Sequence, residues 1–406
     1  MEAQVDAQVD AQVDAQAEAS AWLGANWREG LDAKRWLGLV VDAGWAAPTW
    51  PVEWYGRGLD AETGKSIVDE FRRVGATGAG QDTWNLWANT VLAHGTDALR
   101  RQYLRPLLLD EIPMCLLYSE PGAGSDLASI ATRAERDGDE WIINGQKVWT
   151  SGGRQAEYAL LIARTDWDQP KHRGISFFFF PMRQPGVEVR PLRQATGDAR
   201  FNEVFLTDAR VPDANLLGTL NGGWWVLQTA LMYERAVMGV PMGRRKAPDS
   251  VAERDPTSEE SAPVPDLSLI EVARRIGRTG DPTTRQALAR LHAMRSVNEW
   301  NSRRAAAQLS QGSSSSLASL GKLSMAQILH FAGRLQVELL GAEGTLGAAT
   351  SAEAGDATYS MLNAYFFSIG GGTDQIQRNI IGERILGLPK EPEPDKGLPF
   401  RDVRRS

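Results

Sequence analysis

The chain has 406 residues, 42% hydrophobic and 23% charged, a globular composition long enough to bury the cores of two or three domains. A net charge of -7 argues against nucleic acid as a partner, and a single cysteine, Cys115, excludes an intrachain disulfide and fits a reducing cytoplasm. The longest strongly apolar run, Ile175 to Phe180, is far too short to span a bilayer, and the N-terminus has neither the basic start nor the apolar core of a secretory signal.

Residues 3–14 repeat Ala-Gln-Val-Asp three times, placing valines at 5, 9 and 13. That spacing is close to the helical period and reads as a first helix with one thin apolar edge, or else as an acidic, disordered tail. From Trp22 to Pro113 the pattern is helical, with turns at Trp50-Pro51 and Gly56-Arg57-Gly58, giving a helical N-terminal domain over 1–113. Between 114 and 220, short runs rich in Val, Ile, Phe and Trp alternate with turn signals at Asp137-Gly138-Asp139, Asn144-Gly145 and Gln184-Pro185-Gly186. This is the signature of a β domain. Cys115, in an apolar run, reads as a buried strand residue, and Glu140 to Trp149 reads as a hairpin about an Asn144-Gly145 turn. Residues 221–390 are helical again. They are interrupted at 247–265 by a stretch with four prolines that reads as a mobile loop, and at Ser313 to Ser316 by a short turn; residues 391–406 form a tail.

Two neighbouring segments concentrate hydroxyls, glycines and one flat aromatic: Tyr118-Ser119-Glu120-Pro121-Gly122-Ala123-Gly124-Ser125-Asp126, and Trp149-Thr150-Ser151. Glycine lets backbone approach a ligand closely, the hydroxyls donate or accept, and the indole offers a stacking face. The set suits a planar, hydrogen-bonding ring. A glycine-rich turn beside a core tryptophan is the plainer reading of each piece alone. No helix-opening dinucleotide fingerprint follows a strand, and the four histidines lack metal-ligand spacing, so no metal site is expected.

The order and spacing of these words resemble the acyl-CoA dehydrogenases, in which Ser/Thr-Glu-Pro-x-Ala-Gly-Ser-Asp and a later Trp-x-Ser/Thr hold the flavin. Gly371-Gly372-Thr373-Asp374-Gln375-Ile376-Gln377-Arg378 resembles the family's C-terminal Glu-Gly-Thr-Ser-Gln-Ile-Gln-Arg. The resemblance runs from Trp22 to Pro389 and implies an α+β protein: a helical N-terminal domain, a β-barrel-like middle domain and a C-terminal four-helix bundle. It implies FAD as cofactor, bound by Leu117, Tyr118, Ser119, Trp149, Thr150, Ser151, Gly341, Thr373 and Gln375. It implies an acyl-CoA substrate touched by Ser125, Arg235 and Gly371, electron-transfer flavoprotein or a similar acceptor, and a homotetramer or a mixed tetramer. The reaction implied is α,β-dehydrogenation: a base takes the α-proton and hydride passes to flavin N5.

The chain departs from the commonest pattern at the base. The usual Glu before Gly-Thr is Gly371 here, which keeps a backbone N–H able to donate to the thioester oxygen but has no proton-accepting side chain. Some members of the family carry the base within a Leu-x-x-Glu-Arg helix, and Leu231-Met232-Tyr233-Glu234-Arg235 matches it, making Glu234 the expected base. The plainer readings are a surface glutamate paired along its helix for Glu234, and a structural ion pair for Arg235. Glu338 replaces a family Gln near Gly341, and the family's interfacial Arg-x-x-x-Phe-Gly is not recognisable at 273–284. Both departures keep open a non-catalytic subunit of a mixed tetramer. A dehydrogenase acting on acyl-carrier protein is the alternative among enzymes.

Overall fold

The structure, a computed structural model, describes residues 2–238, 269–310, 317–346 and 351–403. The stretch 247–265 and Ser313 to Ser316 lie outside the described residues. Contacts divide the chain into two compact units. The first comprises Met1–Arg190, Phe201–Val237 and Asp395–Ser406; the second comprises Pro191–Arg200 and Met238–Pro394.

In the first unit five helices precede the sheet: α1 (Glu2–Asn26), α2 (Ala33–Asp42), α3 (Ala61–Arg73), α4 (Leu86–His94) and α5 (Asp97–Leu108). The Ala-Gln-Val-Asp repeat is helical, and α1 enters the core through Ala15, Ala19 and Leu23, a four-residue spacing that keeps one face inward. Starts are set by side-chain caps: Asp32, Asp60, Asn85 and Thr96 each accept a backbone N–H from the first turn of the following helix. Trp22, Trp36 and Phe71 pack around one another, with 5.4 Å between the first two rings.

Eight strands follow: β1 (Met114–Leu117), β2 (Arg133–Asp137), β3 (Glu140–Ser151), β4 (Tyr158–Arg164), β5 (Ile175–Pro181), β6 (Val187–Leu192), β7 (Phe201–Pro212) and β8 (Leu216–Leu217). They form one sheet in the order β6-β7-β3-β2-β4-β5-β8, with β1 parallel to β4. Strands β4 and β5 are buried on both faces. Leu160, Ile162, Phe177 and Phe179 join the core shared with the helices. Leu161, Phe178 and Phe180 join a second core with Cys115, Trp141, Val204 and Leu206. Two-sided burial is why residues 177–180 are four phenylalanines without polar alternation. The sheet curls around that second core but does not close into a barrel, because its edge strands β6 and β8 are not paired with each other.

One local expectation is corrected. Asn144-Gly145 is not a hairpin turn: β3 runs unbroken through it, and the turn lies at Gly138, φ 66°. Gly145 is needed for close approach, since an added Cβ would lie 2.4 Å from the Thr132 hydroxyl. Asn144 instead braces a bulge in β7, exchanging hydrogen bonds with Asp208 at 2.9 and 3.0 Å.

Helix α6 (Gly223–Met238) packs in the first unit. Gly223 lets it start against β5, where a Cβ would meet the Ser176 carbonyl carbon at 2.5 Å. His94 Nε2 and Thr229 Oγ1 lie 2.8 Å apart and tie α6 to α4. The C-terminal segment is anchored, not loose: Phe400 is fully buried, and the Arg164 guanidinium sits 3.5 Å from its ring centre.

The second unit is helical: α7 (Leu269–Arg275), α8 (Pro282–Ser310), α9 (Leu317–Leu340), α10 (Ala352–Ile369) and α11 (Asp374–Ile380). Leu269, Val272, Leu291, Ile328, Leu335 and Leu339 form its core. Gly333 lets α9 approach α10 closely, since a Cβ there would lie 2.8 Å from Met361 Cα.

Candidate active site

The Ser-Glu-Pro segment leaves β1 and turns at once, with Glu120 and Ala123 exchanging backbone hydrogen bonds at 3.0 Å. The Val148 N–H donates to Ser119 O at 2.9 Å, so this loop lies directly against the end of β3 that carries Trp149. A buried ion pair fastens the junction. Lys147 is fully buried, and its Nζ donates to Glu120 Oε1 at 2.8 Å and to Tyr118 O at 3.0 Å. Glu120 also accepts the Ala131 and Thr132 N–H groups at 2.7 and 3.0 Å. Burial pushes the Glu120 carboxyl up, but the Lys147 ammonium and these hydrogen bonds outweigh it and hold the group below its usual range. Sequence reasoning missed Lys147. The available signal was its parity: Trp141, Ile143 and Lys147 fall on the buried positions of β3.

Trp149 sits where two residues of β3, Val148 and Trp149, oppose one of β7, Glu203. The bulge puts it at φ 64°, a left-handed backbone rarely taken by a bulky residue, and leaves its side chain 56% exposed. Such strain costs of order 1–3 kcal/mol and persists only where surroundings impose it. Here it turns an indole outward, edge-on to Phe201 with centroids 5.9 Å apart. The neighbours differ in availability. Thr150 is buried, and its hydroxyl donates to Leu116 O at 3.2 Å, a second tie between β3 and β1. Ser151 is exposed and Ser119 half-buried. The Leu117 side chain lies in the sheet core. Added Cβ atoms at Gly122 and Gly124 would meet nothing within 4 Å. Exposed indole, half-buried serine, open glycines and exposed Ser151 fit a flat, hydrogen-bonding ring better than a sealed turn.

Ser125 is exposed, on a loop steadied by Asp126, which bonds Ser129 at 2.5 Å and Lys171 at 3.0 Å. Glu234 is half-buried on α6. Val226, Leu227 and Ala230 of that helix are buried in the core that also contains Tyr118. At ~100° per residue Glu234 falls within about 40° of Leu227 and Ala230, so the carboxylate shares their core-facing stripe. Tyr118 is 7% exposed, and its hydroxyl is buried without a hydrogen-bond partner. Burial pushes the phenol pKa well up, and the charge of Glu234 adds to it. The Arg235 side chain lies outside the described residues.

Gly341, Gly371, Thr373 and Gln375 belong to the second unit. Gly341 follows α9 at φ 62°; Gly371 follows α10 at φ 64°, and its carbonyl accepts from Gln377 Nε2 at 3.2 Å. Thr373 caps α11, accepting the Ile376 N–H, and Gln375 is exposed. Asp374 pairs with Lys322 at 3.3 Å. Among the described residues no cluster of His, Cys, Asp or Glu could hold a metal, and no helix is long and apolar enough to cross a membrane. An open groove of about 380 Å³ lined by Gly153, Arg154, Met182 and Arg183 contains none of the expected site residues.

Sequence models of three domains match in order: the acyl-CoA dehydrogenase N-terminal domain over residues 3–111, the middle domain over 115–209 and the C-terminal domain over 268–386. The acyl-CoA dehydrogenase IpdE1 of Mycobacterium tuberculosis is 35% identical over 369 residues, 89% of each chain. The chain belongs to the acyl-CoA dehydrogenase family. Membership makes it an oxidoreductase and implies a flavin cofactor. Among solved structures, the Tcur3481-Tcur3483 steroid ACAD matches with a TM-score of 0.68 and 26% identity, over 95% of this chain and 98% of that one. The ChsE4-ChsE5 complex from Mycobacterium tuberculosis matches with a TM-score of 0.64 and 29% identity, over 94% and 98%. The helical, β and helical domains of this acyl-CoA dehydrogenase are thus those of its family.

Proposed function

We propose that this acyl-CoA dehydrogenase uses FAD to convert a branched or bulky acyl-CoA to its 2-enoyl-CoA, with Glu234 as the α-proton base. One observation carries the assignment of the base. Gly371 has no side chain, whereas Glu234 is half-buried on the core-facing stripe of α6, close enough for its charge to act on the Tyr118 phenol. A carboxylate with restricted water contact is a stronger base than one in solution. Trp149, Ser119 and Ser151 would hold the flavin ring, with the backbone of Leu117 and Tyr118 beside it. Thr373, Gln375 and Gly341 would serve its diphosphate and adenosine end. When bound, the flavin supplies the two-electron sink. The Gly371 N–H would polarise the thioester oxygen, and Ser125 and Arg235 would orient the substrate.

The bulky substrate class is supported by similarity to a steroid ACAD, and by the base's place on a Leu-x-x-Glu-Arg helix. Similarity to the ChsE4-ChsE5 complex supports assembly with a related subunit. The test is the absorption spectrum of purified protein, alone and with candidate partner subunits, titrated with butyryl-, isovaleryl-, palmitoyl- and steroid side-chain acyl-CoA. Bleaching of a bound flavin by the bulky thioesters supports the reading. Protein that stays colourless after FAD and partners are supplied overturns it.

A further inference from the structure

We propose that Tyr118 is a positioning residue for Glu234: in the working site its hydroxyl donates to the Glu234 carboxylate and aims it at the α-carbon. This rests on the assignment of Glu234 as base. The buried phenol hydroxyl has no hydrogen-bond partner, a state that costs roughly 1–3 kcal/mol and is rarely kept without use. The ring is fixed, lying edge-on to Phe177 with centroids 5.8 Å apart, in the core that also buries Val226, Leu227 and Ala230 of α6. The backbone is fixed as well, because the Tyr118 carbonyl accepts from the buried Lys147 ammonium at 3.0 Å. Glu234 lies one helical turn beyond Ala230 on the same stripe, and its charge is felt at the phenol. A donor held rigidly on one element therefore lies within electrostatic reach of a carboxylate carried on another.

The test is Tyr118→Phe in the flavin-loaded protein, with its partner subunit if flavin loading requires one, read with a steroid side-chain acyl-CoA. A hydrogen bond to an ionised group is worth enough to change a rate at least about tenfold. The limiting rate of flavin reduction should fall by about that factor, while KM changes little. A hydrogen bond to the charged form lowers a carboxyl pKa, so its loss should move the acid limb of the pH–rate profile upward by about one unit. Tyr118→3-fluorotyrosine, a stronger donor, should move the limb downward. The thermal midpoint of flavin-free Tyr118→Phe should stay the same or rise, because an unpaired buried hydroxyl has been removed. A stability loss with an unmoved rate and acid limb would mark Tyr118 as packing only and overturn the proposal. If Glu234→Gln abolishes reduction while Tyr118→Phe leaves rate and acid limb unchanged, the base stands and the positioning role falls. If Glu234→Gln reduces normally, the base assignment fails and the role of Tyr118 falls with it.

Discussion

Replacing Lys147 with Met tests whether the buried ion pair joins the two segments of the site. The substitution keeps most of the side-chain volume and removes the ammonium. Two hydrogen bonds are lost, to Glu120 Oε1 at 2.8 Å and to Tyr118 O at 3.0 Å. The Glu120 carboxylate remains buried, although it keeps the Ala131 and Thr132 N–H donors. Breaking a buried pair from one side costs about 3–5 kcal/mol, and the two surviving donors place this case near 3. For a cooperative unit of this size that is a fall of roughly 6–12 °C in midpoint. The assay is calorimetry of the flavin-free protein, so that cofactor binding does not mask the change. Removing both charges, in Lys147→Met with Glu120→Gln, should recover more than half of the loss. Flavin retention should fall in the single variant, since the Tyr118 carbonyl is no longer anchored. A midpoint within about 1 °C of wild type, or a double variant no better than the single, would refute the reasoning.

Two other outcomes follow from strain and burial. Trp149→Gly should leave the flavin-free midpoint nearly unchanged, because relief of left-handed backbone strain, about 1–2 kcal/mol, offsets the entropy added to the unfolded chain. The same change should weaken flavin binding sharply, and unaltered affinity in a flavin titration would remove the indole from the site. Asp82 has its Oδ1 buried without a partner while Oδ2 accepts the Thr49 hydroxyl at 2.6 Å, and burial raises its pKa above 3.8. A carboxyl raised in the folded state gives stability that is present below its unfolded pKa and lost as pH rises through the folded value. Asp82→Asn should therefore be more stable than wild type at pH 8 by about 1 kcal/mol and show a flatter midpoint profile from pH 4 to 8. An equal slope in both proteins would contradict this.

Much of the molecule was legible because its signals are local. The Ser-Glu-Pro and Trp-Thr-Ser words and the Gln184-Pro185-Gly186 turn each lie within a few residues. The helical, β and helical order follows from the pattern of apolar runs and turn signals along the chain. What was missed depends on partners distant in sequence. Asn144-Gly145 looks like a turn until Asp208 and Thr132 are seen beside it. Lys147 reads as one strand charge until Glu120 closes on it. The exposure of Trp149 comes from a register slip against β7, which no local pattern encodes. The unpartnered Tyr118 hydroxyl is likewise a property of packing between a loop and α6. Phe400, in a polar, proline-rich tail, gives no sequence sign that Arg164 and Trp167 await it.

The most direct test of the proposed chemistry is stopped-flow flavin reduction by Glu234→Gln against wild type, with a steroid side-chain acyl-CoA. Loss of a proton-transfer base costs on the order of a hundredfold or more. The variant should keep its flavin and its acyl-CoA affinity and lose reduction by at least that factor. Reduction at a near-normal rate would contradict the assignment of Glu234 as the base.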